Sequence, residues 1–323
     1  MVSFRGKLIN GLAERGIGVS LDLQDKPYAA VLVIGGTRDL PGLWRARRRG
    51  IHIVQRLDGM NWIHRKRRTG WQHYMRAEYG NIILSLIRSR LADMIVYQSE
   101  FSRHWWERIY GIGRKPWRIV YNGVDLKQYS PTGEGKKPDD HLRILLVEGA
   151  IAGGYEWGLE TAIQVAERIN NPDKQRVELM VVGRVAESLQ REWSKKAVIL
   201  INFTGLVPAE KIPELDRSAH ILYAADLNAA CPNSVIEAMA CGLPVVAFDT
   251  GALSELVEEN AGKLVSYGGD PWRLDPPDIE KLVDAADSVI KNQVRYSKGA
   301  RERAVETFSL ERMVEGYLSA LNL

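Results

Sequence analysis

A chain of 323 residues is too long for one comfortable hydrophobic core and fits two domains of ordinary size. Hydrophobic residues at 45% and charged residues at 26% lie near the globular average, which excludes a disordered or fibrous protein. The net charge of +4 conceals an asymmetry: residues 1–140 carry 25 Lys and Arg against 13 Asp and Glu, and the remainder carries 19 against 27.

From the start of the chain, Met1–Gly16 is charged throughout and lacks the apolar core of a secretory signal. The longest apolar runs, such as Ile82–Ile87 and Ile144–Val147, fall far short of the roughly 18 residues a membrane-spanning helix needs. A cytoplasmic protein is the expectation. Short apolar, β-branched runs predict strands at Val31–Ile34, Ile51–Val54, Met94–Tyr97 and Ile119–Tyr121, and again at Ile144–Val147, Val177–Val182, Ile221–Ala224 and Pro244–Phe248. Amphipathic stretches separate them, the pattern of parallel sheets wound with helices. The basic runs Arg45–Arg49 and Arg65–Arg68 suit either an anionic membrane surface or an anionic acceptor, or are solvated helix ends and loops. No nucleic-acid-binding module accompanies them. Ser130–Asp140, rich in turn formers and charge, reads as a linker. The expected organisation is 1–134 as a first domain, 141–300 as a second, and 301–323 as a terminal helix returning to the first, with ligands in a cleft between the two.

In open α/β sheets, ligands bind beyond the carboxyl ends of the strands, where loops enter helices and backbone N–H groups point outward. Following the predicted strand Ile51–Val54, Gln55–Trp62 places Asp58 and Asn61 at such an end, where Asp58 would position or deprotonate an acceptor hydroxyl, although Asp before Gly is also an ordinary turn pair. After Ile144–Val147 comes Glu148–Gly154, whose glycines, Gly149 first, allow backbone to approach a phosphate. After Val177–Val182, Arg184 would pair with phosphate or stack on a base. The densest signal is Asp226–Val257, where a loop ending at Pro232 enters a short helix from Asn233 or Ser234 to Cys241. Its N-terminus suits a diphosphate, and Glu237, one turn in, would accept hydrogen bonds from ribose hydroxyls. Ser234-x-x-Glu237 is equally a capping box, in which the glutamate serves the backbone. Cys231 and Cys241 exclude a disulfide framework and a four-thiolate metal site, and the six histidines are scattered, so no metal and no cofactor are expected.

Leu91–Ser102 followed by Ile119–Asp125, then Glu237–Pro244 and Gly251–Glu255, resemble in sequence and order the signatures of family-4 (GT4) retaining glycosyltransferases of GT-B architecture. The resemblance implies two Rossmann-like domains facing a cleft and metal-independent transfer of a hexose from a nucleoside diphosphate sugar to a hydroxyl of a glycan, lipid-linked or small-molecule acceptor. It implies Glu237 as the ribose ligand, Val207 near the nucleobase, Asn233, Ser234, Pro232, Arg184 and Gly149 around the donor, and Lys7 and Asn61 on the acceptor side. The chain also departs from the pattern. Ala229 stands where the family has an acidic residue, with Asp226 or Asn233 as substitutes, and the loop after the second domain's first strand offers Glu148-Gly149 and Trp157-Gly158 in place of an Arg and a Lys. Arg184, Arg5 or Lys7 would then supply the missing charge, or the chain is a noncatalytic GT-B module that binds a nucleotide, a sugar or a partner protein. The opening residues align with the family's first helix, so its first strand is expected to be missing.

Overall fold

The apolar runs fold into two parallel sheets, each in its own unit. The computed structural model describes residues 4–67, 70–152, 156–171, 173 and 175–323; Arg68, Gly153 and Gly154 of the runs above lie outside them. One unit is Val2–Gly123 with Leu310–Leu323, and the other is Val124–Ser309. The chain therefore passes between units after Gly123 and again after Ser309. Residues 124–140 pack in the second unit: Tyr129 is buried there, and Arg217 holds the Ser130 and Glu134 carbonyls.

In the first unit the elements run α1 (Phe4–Ala13), β1 (Ala30–Ile34), α2 (Leu40–Arg48), β2 (His52–Leu57), α3 (Trp71–Leu86), β3 (Met94–Tyr97), α4 (Glu100–Tyr110) and β4 (Trp117–Ile119). Local chemistry sets several of the ends. Asp39 caps α2 by accepting from Gly42 N–H at 2.8 Å, with Pro41 in the first turn, and Ser99 caps α4 by accepting from Ser102 N–H at 3.0 Å. Gly111, at φ 80°, ends α4. The strand order is β1-β2-β3-β4, all parallel and sequential. Right-handed crossovers that always step the same way put α2, α3 and α4 on one face of the sheet. The other face would be bare, but the chain's last helix returns to cover it.

The second unit contains β5 (Leu142–Ile151), α5 (Trp157–Ile169), β6 (Val177–Val185), α6 (Glu187–Lys196), β7 (Leu200–Gly205), α7 (Ile212–Arg217), β8 (Ile221–Ala224), α8 (Asn233–Ala240), β9 (Val245–Phe248), α9 (Leu253–Leu256), β10 (Gly262–Val265), α10 (Ile279–Lys291) and α11 (Gln293–Thr307). α12 (Leu310–Leu321) then joins α1 against the first sheet. Phe4, Leu8 and Leu12 of α1 and Met313, Val314 and Tyr317 of α12 form one core with Val54, Val96 and Val120. The two helices approach closely because Gly11 carries no Cβ; one placed there would overlap Val314.

The second sheet is ordered β10-β9-β8-β5-β6-β7 and is parallel throughout. Its inner strands, such as β9 with every residue buried, read as continuous apolar runs because helices cover both faces. β7 and β10, at the two edges, were not anticipated: β7 alternates exposed Leu200 and Asn202 with Ile201 and Phe203, and β10 is four residues long and includes Lys263.

Candidate functional site

In the second unit the chain steps from β5 outward to β6 and β7, then returns past β5 to β8 and continues outward through β9 to β10. Strand order reverses between β5 and β8, and the loops leaving these two strands part to opposite sides of the sheet. Such a reversal opens a crevice at the carboxyl ends. A pocket of about 170 Å³ lies there, lined by Glu148, Ala150 and Ile151 after β5, Gly158 and Leu159 of α5, and Ala225 and Asp226 after β8.

Three local features shape it. β5 bulges at Glu148-Gly149, where two residues oppose Gly183 of β6. Gly183 has φ 138°, and a Cβ there would overlap the Glu148 carbonyl oxygen, so the bulge depends on glycine opposite it. α5 points its N-terminus at the pocket; among the described residues no side chain caps it, and its first-turn N–H groups lie outside the helix's own i to i−4 ladder. Gly158 lets this end approach β8; a Cβ would lie 2.9 Å from that of Ala225.

The pocket's charge is acidic. Burial and the neighbouring Asp226 charge push the Glu148 carboxyl up to about 8, and burial pushes Asp226 up to about 6. Each shift favours the protonated, hydrogen-bond-donating form of the carboxyl over the ion. Among the described residues no Arg or Lys lines this pocket.

Among the described residues, none of the sequence-predicted donor residues lines the pocket. Gly149 sits between lining residues with open space beside it, and Arg184 pairs in register with Ala150 and is exposed. Pro232, Asn233 and Ser234, all half-buried, form the entry to α8. Val207, half-buried, follows the edge strand β7, two strands from β5. Glu237 is fully buried. α8 begins at Asn233 behind Pro232, so Ser234 lies within the first turn and not at the N-cap. Glu237 instead faces a buried cluster with Asp216 and Tyr129: burial first, then the Glu237 charge, holds Asp216 well above the usual carboxylate range, and the same two causes push the Tyr129 hydroxyl up. Ala229 is buried, its carbonyl accepts from Ala252 N–H at 2.9 Å, and Gly251 at φ 64° leaves room for this backbone contact.

Sequence reasoning passed over Asn228. Its backbone is left-handed at φ 57°, it is buried, and among the described residues its Nδ2 has no hydrogen-bond partner. A strained asparagine two residues from a pocket carboxylate is the kind of feature a binding loop retains. The only sequence signal was the tolerance of asparagine for this conformation.

In the first unit Asp58 lies beyond β2, its carboxylate 3.9 Å from Arg56 and half-exposed. The loop around it is rigid: Trp106 Nε1 donates to the Asp58 carbonyl at 2.7 Å, Ser102 Oγ donates to the same oxygen at 3.2 Å, and Asn81 pins Asn61 through both backbone groups. Lys7 is buried and donates to the Gly123 carbonyl at 3.0 Å, while Arg5 is exposed. The Arg56 guanidinium, 3.9 Å from the Phe4 ring centroid, donates to Asn122. Among the described residues no group of three His, Cys, Asp or Glu is placed to hold a metal ion, and no helix is long and apolar enough to cross a membrane.

The geometry finds its counterpart in known proteins. Residues 143–292, which hold the strand reversal, the pocket and α8, match the family model described as glycosyl transferases group 1. This segment is similar to a group 1 glycosyltransferase domain. The chain is 25% identical over 228 residues to the D-inositol 3-phosphate glycosyltransferase of Geodermatophilus obscurus, covering 65% of this chain and 48% of that protein. It is 23% identical over 234 residues to the GDP-mannose-dependent alpha-(1-6)-phosphatidylinositol dimannoside mannosyltransferase of Mycobacterium tuberculosis, covering 71% and 57%. The chain thus spans about half the length of these curated relatives. Among solved structures it resembles the sucrose-phosphate synthase of Thermosynechococcus elongatus, with TM-score 0.70 and 16% identity over 99% of this chain and 78% of the other. Anabaena HepE in complex with UDP-glucose gives TM-score 0.67 and 18% identity over 90% and 78%. Two parallel α/β domains of glycosyltransferase GT-B type are therefore the fold.

Proposed function

We propose that this chain is a retaining, metal-independent glycosyltransferase that moves a hexose from a nucleoside diphosphate sugar onto a hydroxyl. The observation that carries the reading is the pocket at the β5/β8 reversal, lined on one side by the N-terminal turn of α5, within the segment that matches the group 1 glycosyltransferase family model. In this reading the first-turn N–H groups of α5 and the Glu148 carboxyl hold the diphosphate, Arg184 approaches from β6, and Glu237, buried beneath α8, reaches the ribose when the Pro232–Ser234 entry to the helix shifts. The bond from the anomeric carbon to the diphosphate oxygen breaks, with that electron pair leaving on the diphosphate. The acceptor oxygen bonds to the same face of the carbon, and its proton passes to Asp58 or to the departing phosphate. The names of the two curated relatives contain an inositol phosphate and a phosphatidylinositol glycolipid. A phosphate-bearing polyol acceptor would suit the basic first unit.

A second reading, a noncatalytic module that binds a nucleotide, a sugar or a protein, is favoured by Ala229 and by the carboxylates where the family pattern has cations. A panel of UDP-, GDP- and ADP-sugars, scored by thermal shift with released nucleoside diphosphate measured in the same wells, separates the two. Stabilisation with release is the expected result; stabilisation without release, with polyol phosphates present as acceptors, would leave the binding module standing.

A further inference from the structure

α3 is built inside out. Its large apolar residues Trp71, Met75, Tyr79, Ile82 and Leu86 are spaced four, four, three and four apart, which places them on one stripe of the helix. A stripe of this kind normally faces a core. Here the residues that α3 buries are Ala77 and Asn81, on the other side, while Trp71 is 75% exposed, Ile82 59% and Tyr79 57%. The stripe continues onto α2. Leu86 shares an apolar recess of about 300 Å³ with Leu40, Pro41 and Trp44, and Arg90 stands at its edge. Trp44 is itself half-exposed, with the Arg48 guanidinium 4.2 Å from its ring centroid.

Basic side chains rim this surface. Arg45, Arg48 and Arg49 are exposed beside Trp44, Arg65, Lys66 and Arg67 are exposed ahead of α3, and Arg76 is exposed along it. The acidic group on α3, Glu78, is turned into an ion pair with Arg65 and accepts from or is paired with His64 at 2.7 Å. Asp93 lies 3.8 Å from Arg47. Net positive charge therefore surrounds a patch rich in Trp and Tyr.

We infer that α3 and the end of α2 form a docking face for an anionic lipid bilayer. A contiguous apolar patch of this kind is rare on a monomer without a partner. An amphipathic helix that shows Trp, Tyr, Met and Ile to one side, with arginines around it, matches the layered polarity of a membrane interface: apolar groups at the acyl boundary, aromatic rings at headgroup depth, cations at the phosphates. The charge rim selects this occupant over a neutral apolar protein surface. The face is built from none of the residues assigned to the donor pocket or from Asp58, so the inference stands or falls independently of the transferase reading.

The test is co-sedimentation of the full chain with vesicles of phosphatidylcholine alone and of equimolar phosphatidylcholine and phosphatidylglycerol. Binding to the anionic vesicles is expected to be about tenfold tighter and to weaken as salt rises from about 0.05 to about 0.5 M. The double substitution Tyr79→Ser and Ile82→Ser, both at exposed positions, should lower partitioning about tenfold while the circular-dichroism melting curve is unchanged. Arg45→Gln with Arg48→Gln should remove mainly the salt-sensitive part. The inference is overturned if the chain stays in the supernatant with anionic vesicles at low salt, or if Tyr79→Ser with Ile82→Ser binds them as the parent does. It is equally overturned if sedimentation equilibrium shows a dimer abolished by the same pair with no lipid binding, which would make the face a contact between copies.

Discussion

At the residue scale the proposed donor site rests on two glutamates in unlike settings. Glu237 is fully buried beside Asp216, whose carboxyl is held well above its ordinary range by burial and by the Glu237 charge. Glu237→Gln keeps the volume and removes one charge from that cluster, so the melting temperature should hold or rise, while nucleotide affinity should fall about 10- to 100-fold, the worth of a charge-assisted hydrogen bond. A collapse of the melting temperature would instead mark a structural role. Burial and the neighbouring Asp226 charge raise the Glu148 carboxyl to about 8. Its raised value means the folded state binds more protons than the unfolded one between about 4.5 and 8, so its contribution to stability is lost as pH rises through 8. Donor binding should weaken over the same rise, and Glu148→Gln should flatten that dependence in calorimetric titrations. Glu237 stood out in the sequence through its position in the Asp226–Val257 segment, and the structure buries it beside Asp216. Asn228 and Asp216 did not stand out, because a left-handed loop residue and a buried acid acquire meaning only from neighbours supplied by distant segments.

At the scale of elements, the inner strands could be read because apolar runs buried on both faces leave a plain record, and the edge strands β7 and β10 could not because one is half-exposed and the other is short. α3 makes a related point. Periodicity reported a stripe, but a stripe does not say whether it faces inward. The cover of the first sheet by α1 and α12 depends on the missing side chain of Gly11, so Gly11→Ala forces Val314 to shift and should cost about 1–3 kcal/mol in urea unfolding. An unchanged midpoint would mean α12 is looser than its buried Val314 and Tyr317 imply.

For the whole molecule, the charge asymmetry seen in composition divides the chain between a basic first unit, carrying the exposed apolar stripe, and an acidic remainder carrying the pocket. The second unit also carries a pH sensitivity. His220 accepts from Arg143 N–H at 3.0 Å, and burial, with Lys137, His141 and Arg143 nearby, pulls its pKa down to about 4. The unfolded chain takes up that proton near 6.5 and the folded one near 4, so stability should decline as pH falls across this window, and His220→Gln should lessen the decline. The central claim is that the β5/β8 pocket holds the donor. Hydrogen–deuterium exchange of the full chain with each nucleoside diphosphate in turn tests it most directly. The account predicts protection in residues 146–152, 156–160 and 225–234 with one of them; protection confined to other segments, or none with any nucleotide, would contradict it.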